Sequence, residues 1–312
     1  MSTFKIFSLQ SMLKKIFLLS CLFLFVSCDT RFNLPECPSP IPENPPPECV
    51  RLALVLGGGG TKGMAHVGVL EEFEKAGIQI DLLVGCSAGS IVSVLYADCP
   101  HAHRIKKLLK PLKKWDVLDI SIWQGRYGLV QGGSLRGFLK RHLSCKYLEE
   151  LQIPVCIAAT DLIRGELVCI NSGLIIPAVH ASSAVPLVFT PVLLYDRLLV
   201  DGGVADPVPV QLAKKMGAVV IVAVDLSAML EKTCPKNLFG VASRSAEIKF
   251  LLQSESCVSG ADVVIRPDLG CMGMFDDTDL EKTYEAGRKA AEELIPEILE
   301  ILSQKCVNKT QF

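Results

Sequence analysis

The chain has 312 residues, 50% of them hydrophobic and 21% charged, with a mean hydropathy of +0.38. This excludes an intrinsically disordered chain, which needs low hydrophobicity and high net charge. Thirty-two basic and 33 acidic residues leave a formal charge of −1, so the cationic surplus of a nucleic-acid binder is absent, and 312 residues are too many for a small disulfide scaffold despite 13 cysteines.

Residues 1–27 carry Lys5, Lys14 and Lys15, no acid, and an apolar run from Ile16 to Val26. A basic start, a short apolar core and a small residue at Ser27 form a secretory signal, too short to span a bilayer comfortably. Phe25-Val26-Ser27-Cys28 resembles a bacterial lipobox, which implies lipid on Cys28 and an exported, membrane-anchored protein. A plain cleaved signal, giving a periplasmic or secreted protein, and an uncleaved anchor are the alternatives. Residues 28–50 read as a linker. Seven prolines between Pro35 and Pro47 favour extended polyproline II, a semi-rigid spacer. Residues 51–303 form one domain and 304–312 a tail.

Within the domain, apolar runs alternate with helical stretches. Leu52–Leu56 precedes four glycines and an amphipathic segment. Leu82–Val84 precedes Gly85-Cys86-Ser87-Ala88-Gly89. Pro154–Ala159, Leu198–Val200, Val219–Val224 and Val263–Ile265 read as further strands. Helices are expected before Gly217 and after Asp279. Residues 167–195 contain no Asp, Glu, Lys or Arg, and Pro177, Pro186 and Pro191 argue for buried strands and turns there. Fully apolar strands alternating with helices predict a three-layer α/β/α fold with a mostly parallel central sheet. Functional loops in such sheets lie at the strands' carboxyl ends.

Gly57-Gly58-Gly59-Gly60-Thr61-Lys62-Gly63 follows a strand and opens a helix. It is not a P-loop, because no Gly-Lys-Ser/Thr is present. Gly58, Gly60 and Gly63 mimic a dinucleotide fingerprint with Asp81 downstream. Asp81 precedes the next strand, at the wrong edge for a ribose, so no nucleotide is expected. Backbone N–H groups of Gly58, Gly59 and Gly60 instead suit an oxyanion hole, with Lys62 holding the loop or the charge. A purely structural turn is the plain alternative.

Gly85–Gly89 is G-x-S-x-G between strand and helix, the setting of a nucleophile elbow. Ser87 is the candidate nucleophile. Gly85 and Gly89 allow close approach of strand and helix, and Cys86 is expected to point away. None of His66, His101, His103, His142 and His180 follows Asp201, so a Ser, acid, His order is unavailable. Asp201-Gly202-Gly203 ends an apolar run that a parallel sheet would bring beside Ser87. A desolvated Asp201 carboxylate is a candidate base. Its alternative role is to cap a turn.

At these residues the chain resembles the patatin-like phospholipases, in their bacterial branch related to the neuropathy target esterase domain. Gly58–Gly63 is similar to the family's oxyanion motif, with Lys62 where Arg is commoner. Gly85–Gly89 is similar to its elbow. Ala181-Ser182 followed by Pro186 resembles a structural block behind the site, and Asp201-Gly202-Gly203 the acid motif. Asp206-Pro207-Val208-Pro209 carries Asp in place of the usual Asn, and Ala261–Asp268 resembles a late strand. The resemblance implies a Ser87–Asp201 dyad that hydrolyses phospholipid or lysophospholipid esters through an acyl-enzyme, with no metal or nucleotide cofactor. An acyltransferase with the same dyad and a non-catalytic lipid-binding scaffold are the alternatives.

His101–Trp115 is basic and amphipathic; the plain reading is a solvated helix face covering the core, and the alternative is a segment near the cleft that meets the membrane. Cys37 and Cys49 bracket the proline spacer and are the expected disulfide partners in an oxidising compartment. Cys86, Cys156 and Cys169 are expected as small packing residues.

Overall fold

The computed structural model describes residues 34–111, 128, 130–230, 234–274, 276 and 279–307. The expected signal segment, Cys28 and residues 112–115 of the basic stretch lie outside the described residues. Contacts divide the chain into residues 1–37 and 38–312. Residues 34–37 of the first unit carry no helix or strand.

Among the described residues, the second unit holds eight strands in one sheet. They are β1 (Leu52–Leu56), β2 (Leu82–Cys86), β3 (Val155–Asp161), β4 (Glu166–Ile170), β5 (Val192–Leu194), β6 (Arg197–Asp201), β7 (Val220–Val224) and β8 (Val263–Ile265). The strands pair in the series β5-β6-β3-β2-β1-β7-β8, with β6 and β2 on successive parts of the same side of β3 and β4 on its other side. β1, β2, β3, β7 and β8 run parallel, while β4 and β6 run antiparallel to β3. The helices are α1 (Met64–Lys75), α2 (Ala88–Asp98), α3 (Ala102–Leu109), α4 (Gly133–His142), α5 (Ile175–Ser182), α6 (Val210–Lys215), α7 (Leu238–Cys257) and α8 (Leu280–Val307).

Alternation along β1 divides the interior, because successive strand side chains point to opposite faces. Leu52, Leu54 and Leu56 join Val220, Val222 and Val224 in a large core with residues of α1, α2, α5 and α8. Ala53 and Val55 enter a smaller core with Ile221, Ala223, Val210 and Ala213. Both faces of the parallel strands are therefore buried, which is why these strands read as continuous apolar runs.

Two expectations about this region are corrected. Residues 167–195 include helix α5, not strands and turns alone. Pro177 lies in its first turn, where a missing N–H removes no intrahelical bond. Asp201 also ends a strand antiparallel to β3, because the connection from β3 to β6 runs through the β4 return, α5 and the β5–β6 hairpin.

Cys37 and Cys49 are exposed free thiols, and the disulfide joins Cys156 and Cys169. Ala158 pairs with Cys169 across β3 and β4, so Cys156 lies diagonally on the same face, with Cα atoms 5.8 Å apart. The second half of the proline-rich segment lies along the body. Asn44 and Asn171 exchange two hydrogen bonds, N–H to Oδ1 at 3.0 Å and Nδ2–H to O at 2.8 Å, and Ile41 packs on the core. Part of the basic charge in α3 is also engaged. Lys106 and Lys110 pair with Glu281 of α8 at 2.7 and 3.0 Å, and Lys106 Nζ lies 3.5 Å from the Tyr284 ring centre.

Candidate active site

β4 occupies one side of β3, pairing Cys169 with Ala158 and Val168 with Ala159. β2 and β6 share the other side. β2 climbs until Cys86 pairs with Ala158, and β6 descends until Asp201 pairs with Ala159. The next residue of β2 therefore meets the last residue of β6. That residue is Ser87, with φ 51° and ψ −120°, a strained elbow between β2 and α2. The turn is tight because Gly89 lies against β1: a Cβ there would stand 2.0 Å from Leu56 O. Gly202 is equally constrained, since its Cβ would stand 2.5 Å from Ala158 O. Gly85 supplies the third small residue of the elbow.

Ser87 Oγ donates to Asp201 Oδ2 at 2.6 Å, and both side chains are buried. Asp201 Oδ1 accepts the Gly203 N–H at 2.8 Å. Turn capping and contact with Ser87 thus coexist on separate oxygens. Burial pushes the Asp201 carboxyl up to about 6, against the lowering effect of its Ser87 and Gly203 hydrogen bonds. A carboxylate in that range is suited to take a proton near neutral pH.

The glycine loop sits on the same edge, at the end of β1. Its first two N–H groups are already used: Gly57 donates to Val224 O at 3.1 Å and Gly58 to Pro207 O at 2.9 Å. Gly58 therefore anchors the loop to the Asp206–Pro209 segment instead of offering a donor. Among the described residues, no acceptor meets the N–H groups of Gly59 or Gly60. Lys62 is buried, and burial lowers its amine to about 8, partly offset by Asp225, Glu247 and Asp276. His66 Nε2 lies 2.8 Å from Gly57 O, and burial holds its ring down to about 4, so it is neutral and positions the loop. Asp81 lies at the opposite edge of the sheet, where its Oδ2 accepts the Leu52 N–H at 2.9 Å, so it is not near the glycine loop.

The family profile described as Patatin-like phospholipase matches residues 54–214, just over half of the chain. The chain belongs to the patatin-like phospholipase family. The human Patatin-like phospholipase domain-containing protein 6 is 28% identical over 270 residues, 76% of this chain and 20% of that protein. Lysophospholipase NTE1 of Debaryomyces hansenii is 32% identical over 188 residues, 58% of this chain and 12% of that protein. An uncharacterized NTE family protein of Mycobacterium tuberculosis is 33% identical over 180 residues, 57% of this chain and 49% of that protein. The chain thus spans about a fifth of the human relative's length. The crystal structure of VipD from Legionella pneumophila shares the fold, with a TM-score of 0.53 at 15% identity, over 90% of this chain and 73% of that one.

In this patatin-like site two hydroxyls give support, Ser182 from the block already marked in the sequence and Thr160, which the sequence did not mark. Ser182 Oγ accepts the Ser87 N–H at 2.9 Å, so the block at 181–186 holds the elbow directly. Thr160 Oγ1 donates to Asp201 O at 2.9 Å and accepts the Ala205 N–H at 3.2 Å, fixing the acid turn. A hydroxyl two strands or a helix away carries no spacing signal. Cys86 is buried on the far side of the elbow, where burial pushes its thiol well up and keeps it protonated. Among the described residues no histidine contacts Ser87 or Asp201, and no His, Cys, Asp and Glu cluster suited to a metal is found.

Proposed function

We propose that this chain is a serine acyl hydrolase that cleaves fatty-acyl esters of phospholipids or lysophospholipids. Ser87 Oγ attacks the ester carbonyl as Asp201 Oδ2 takes its proton. The carbonyl oxygen becomes an oxyanion, received by the N–H groups of Gly59 and Gly60 and favoured by the positive end of the nearby helices. Collapse breaks the ester C–O bond, and the departing alkoxide takes the proton from Asp201. Water, deprotonated by the same carboxylate, then attacks the acyl-Ser87 carbonyl; the acyl C–Oγ bond breaks, Asp201 returns the proton to Ser87 Oγ, and the fatty acid leaves. No cofactor enters this sequence.

The observation that carries the proposal is the buried 2.6 Å hydrogen bond between Ser87 and Asp201, beside a loop in which the Gly59 and Gly60 N–H groups meet no acceptor among the described residues. The human relative, a patatin-like phospholipase domain-containing protein, and the Debaryomyces lysophospholipase support lipid esters as the substrate class. The test is to incubate the purified chain with phospholipid and lysophospholipid and quantify released products by mass. Free fatty acid from the wild type and at least a ~10⁴-fold lower rate from Ser87→Ala are expected. Equal rates in the two proteins would overturn the dyad. Acyl groups recovered only on an alcohol acceptor would replace hydrolysis by transfer.

A further inference from the structure

Helix α7 passes over the carboxyl edge of the sheet. Lys249 Nζ donates to Val204 O at 2.9 Å and Gln253 Nε2 to Ala205 O, which ties the helix to the turn after Asp201. Between these two polar anchors Phe250 reaches inward. A Cβ built on Gly58 would lie 3.2 Å from Phe250 Cε2 and 3.5 Å from Ser87 Cβ. A Cβ built on Gly203 would lie 3.5 Å from the same Cε2. One aromatic edge therefore bridges the glycine loop and the acid turn, the two segments that flank Ser87. The dyad behind it is only 7% exposed at Ser87 and 5% at Asp201.

Phe250 also lines a cavity of about 200 Å³. Met229, Leu230, Leu251, Met272 and Met274 supply its apolar side, while Lys62 on the glycine-loop side, Ser227, Ser243 and Asp276 contribute to a lining that is polar for more than half of its surface. Three of the chain's seven methionines gather here. Methionine is unbranched and adaptable, which suits a flexible chain better than a rigid ring. Arg244 and Glu247 also line the cavity, and pair with each other at 3.1 Å.

We propose that Phe250 determines acyl-chain specificity. Its ring is the movable wall between Ser87 and this cavity, and the cavity receives the fatty-acyl chain of the ester. The inference rests on the acyl-hydrolase reading above. A ring rotates about its side-chain torsions without breaking a backbone hydrogen bond, so the wall opens at little cost to α7. By volume alone, with benzene's six carbons in about 150 Å³ as the scale, about 200 Å³ accommodates roughly eight chain carbons, laid along the methionine side of this partly open, partly polar cavity. Trimming Phe250 enlarges this space toward Ser87. Adding bulk at Leu251 reduces it from within.

The experiment measures kcat/KM of the full chain on p-nitrophenyl esters from acetate to palmitate. Phe250→Ala is expected to raise the laurate-to-octanoate ratio about tenfold, and Leu251→Trp to lower the octanoate-to-acetate ratio about tenfold, since a methylene in an apolar pocket is worth about tenfold or more. Ratios within twofold of wild type in both variants would overturn the proposal, as would a change in head-group preference without any change in chain length. Fluorophosphonate labelling of Ser87 reports that each variant is folded, and Phe250→Leu supplies the comparison if the alanine variant does not label. A wild-type chain that fails to label would instead defeat the hydrolase reading.

Discussion

Ser87 and Asp201 meet because two strands run toward each other along the same side of β3 and stop one register apart, at Ala158 and Ala159. The collision leaves 2.6 Å between Ser87 Oγ and Asp201 Oδ2. It also removes the carboxylate from water, which is why its proton is held up to about 6. The proposed base works only when ionised. Ester kcat/KM is therefore expected to rise tenfold per pH unit below about 6 and to level off above it. His66, held down to about 4, does not produce a limb at that position. A pH profile on a soluble ester checks this, and a rate flat between pH 4.5 and 7 would exclude Asp201 as the base.

The same burial has a cost in stability. Asp201 binds its proton more tightly in the folded chain than at its ordinary 3.8. Between 3.8 and about 6 the folded state retains a proton that the unfolded chain has released, so this group's contribution to stability falls as pH rises through that window and stays low above it. The shift corresponds to about 3 kcal/mol at neutral pH. Asp201→Asn is expected to abolish activity and to raise the unfolding midpoint at pH 7.5, with no gain at pH 3. Parallel thermal melts at the two pH values check it, and a lowered midpoint at pH 7.5 would contradict it.

The elements that carry this geometry differ in how legible they were. β1, β2, β7 and β8 stand out in the sequence because burial on both faces demands unbroken apolar runs, and the glycine loop and elbow follow them directly. Asp201 was identifiable by its motif, but the direction of β6 was not. Direction depends on the connection from β3, and within it α5 is as apolar as a strand and carries Pro177 in its first turn. The strand pair Cys156 and Cys169 likewise needs the β3–β4 register before it becomes a disulfide. Phe250 lies on a long helix of mixed polarity, about 160 residues from Ser87, and nothing in its neighbours marks it.

Cys28 carries the proposal about location. Lipid on this cysteine would tether the exported chain, with residues 28–37 ahead of the segment bound along the body through Ile41 and Asn44. Intact-mass measurement of the protein from a bacterial host is expected to show cleavage before Cys28 and an added diacylglyceryl group. Cys28→Ser is expected to move the protein from the membrane fraction to the soluble exported fraction. An unmodified, uncleaved mass in the wild type would defeat the lipoprotein reading.

Ser182 tests whether the elbow is held or merely folded. Its hydroxyl is the acceptor for the Ser87 N–H, and both residues are buried. Ser182→Ala leaves that donor unpaired, which costs about 1–3 kcal/mol. Because the bond fixes the residue that carries the nucleophile, the loss falls on kcat more than on KM. A ~10- to 100-fold drop in kcat is expected, with a similar drop in the rate at which a fluorophosphonate labels Ser87. Ser182→Thr keeps the acceptor and is expected to restore most of the labelling rate. A general packing role would lower thermal stability in the alanine variant while leaving the labelling rate of the folded protein unchanged, so that outcome would remove Ser182 from the positioning of Ser87.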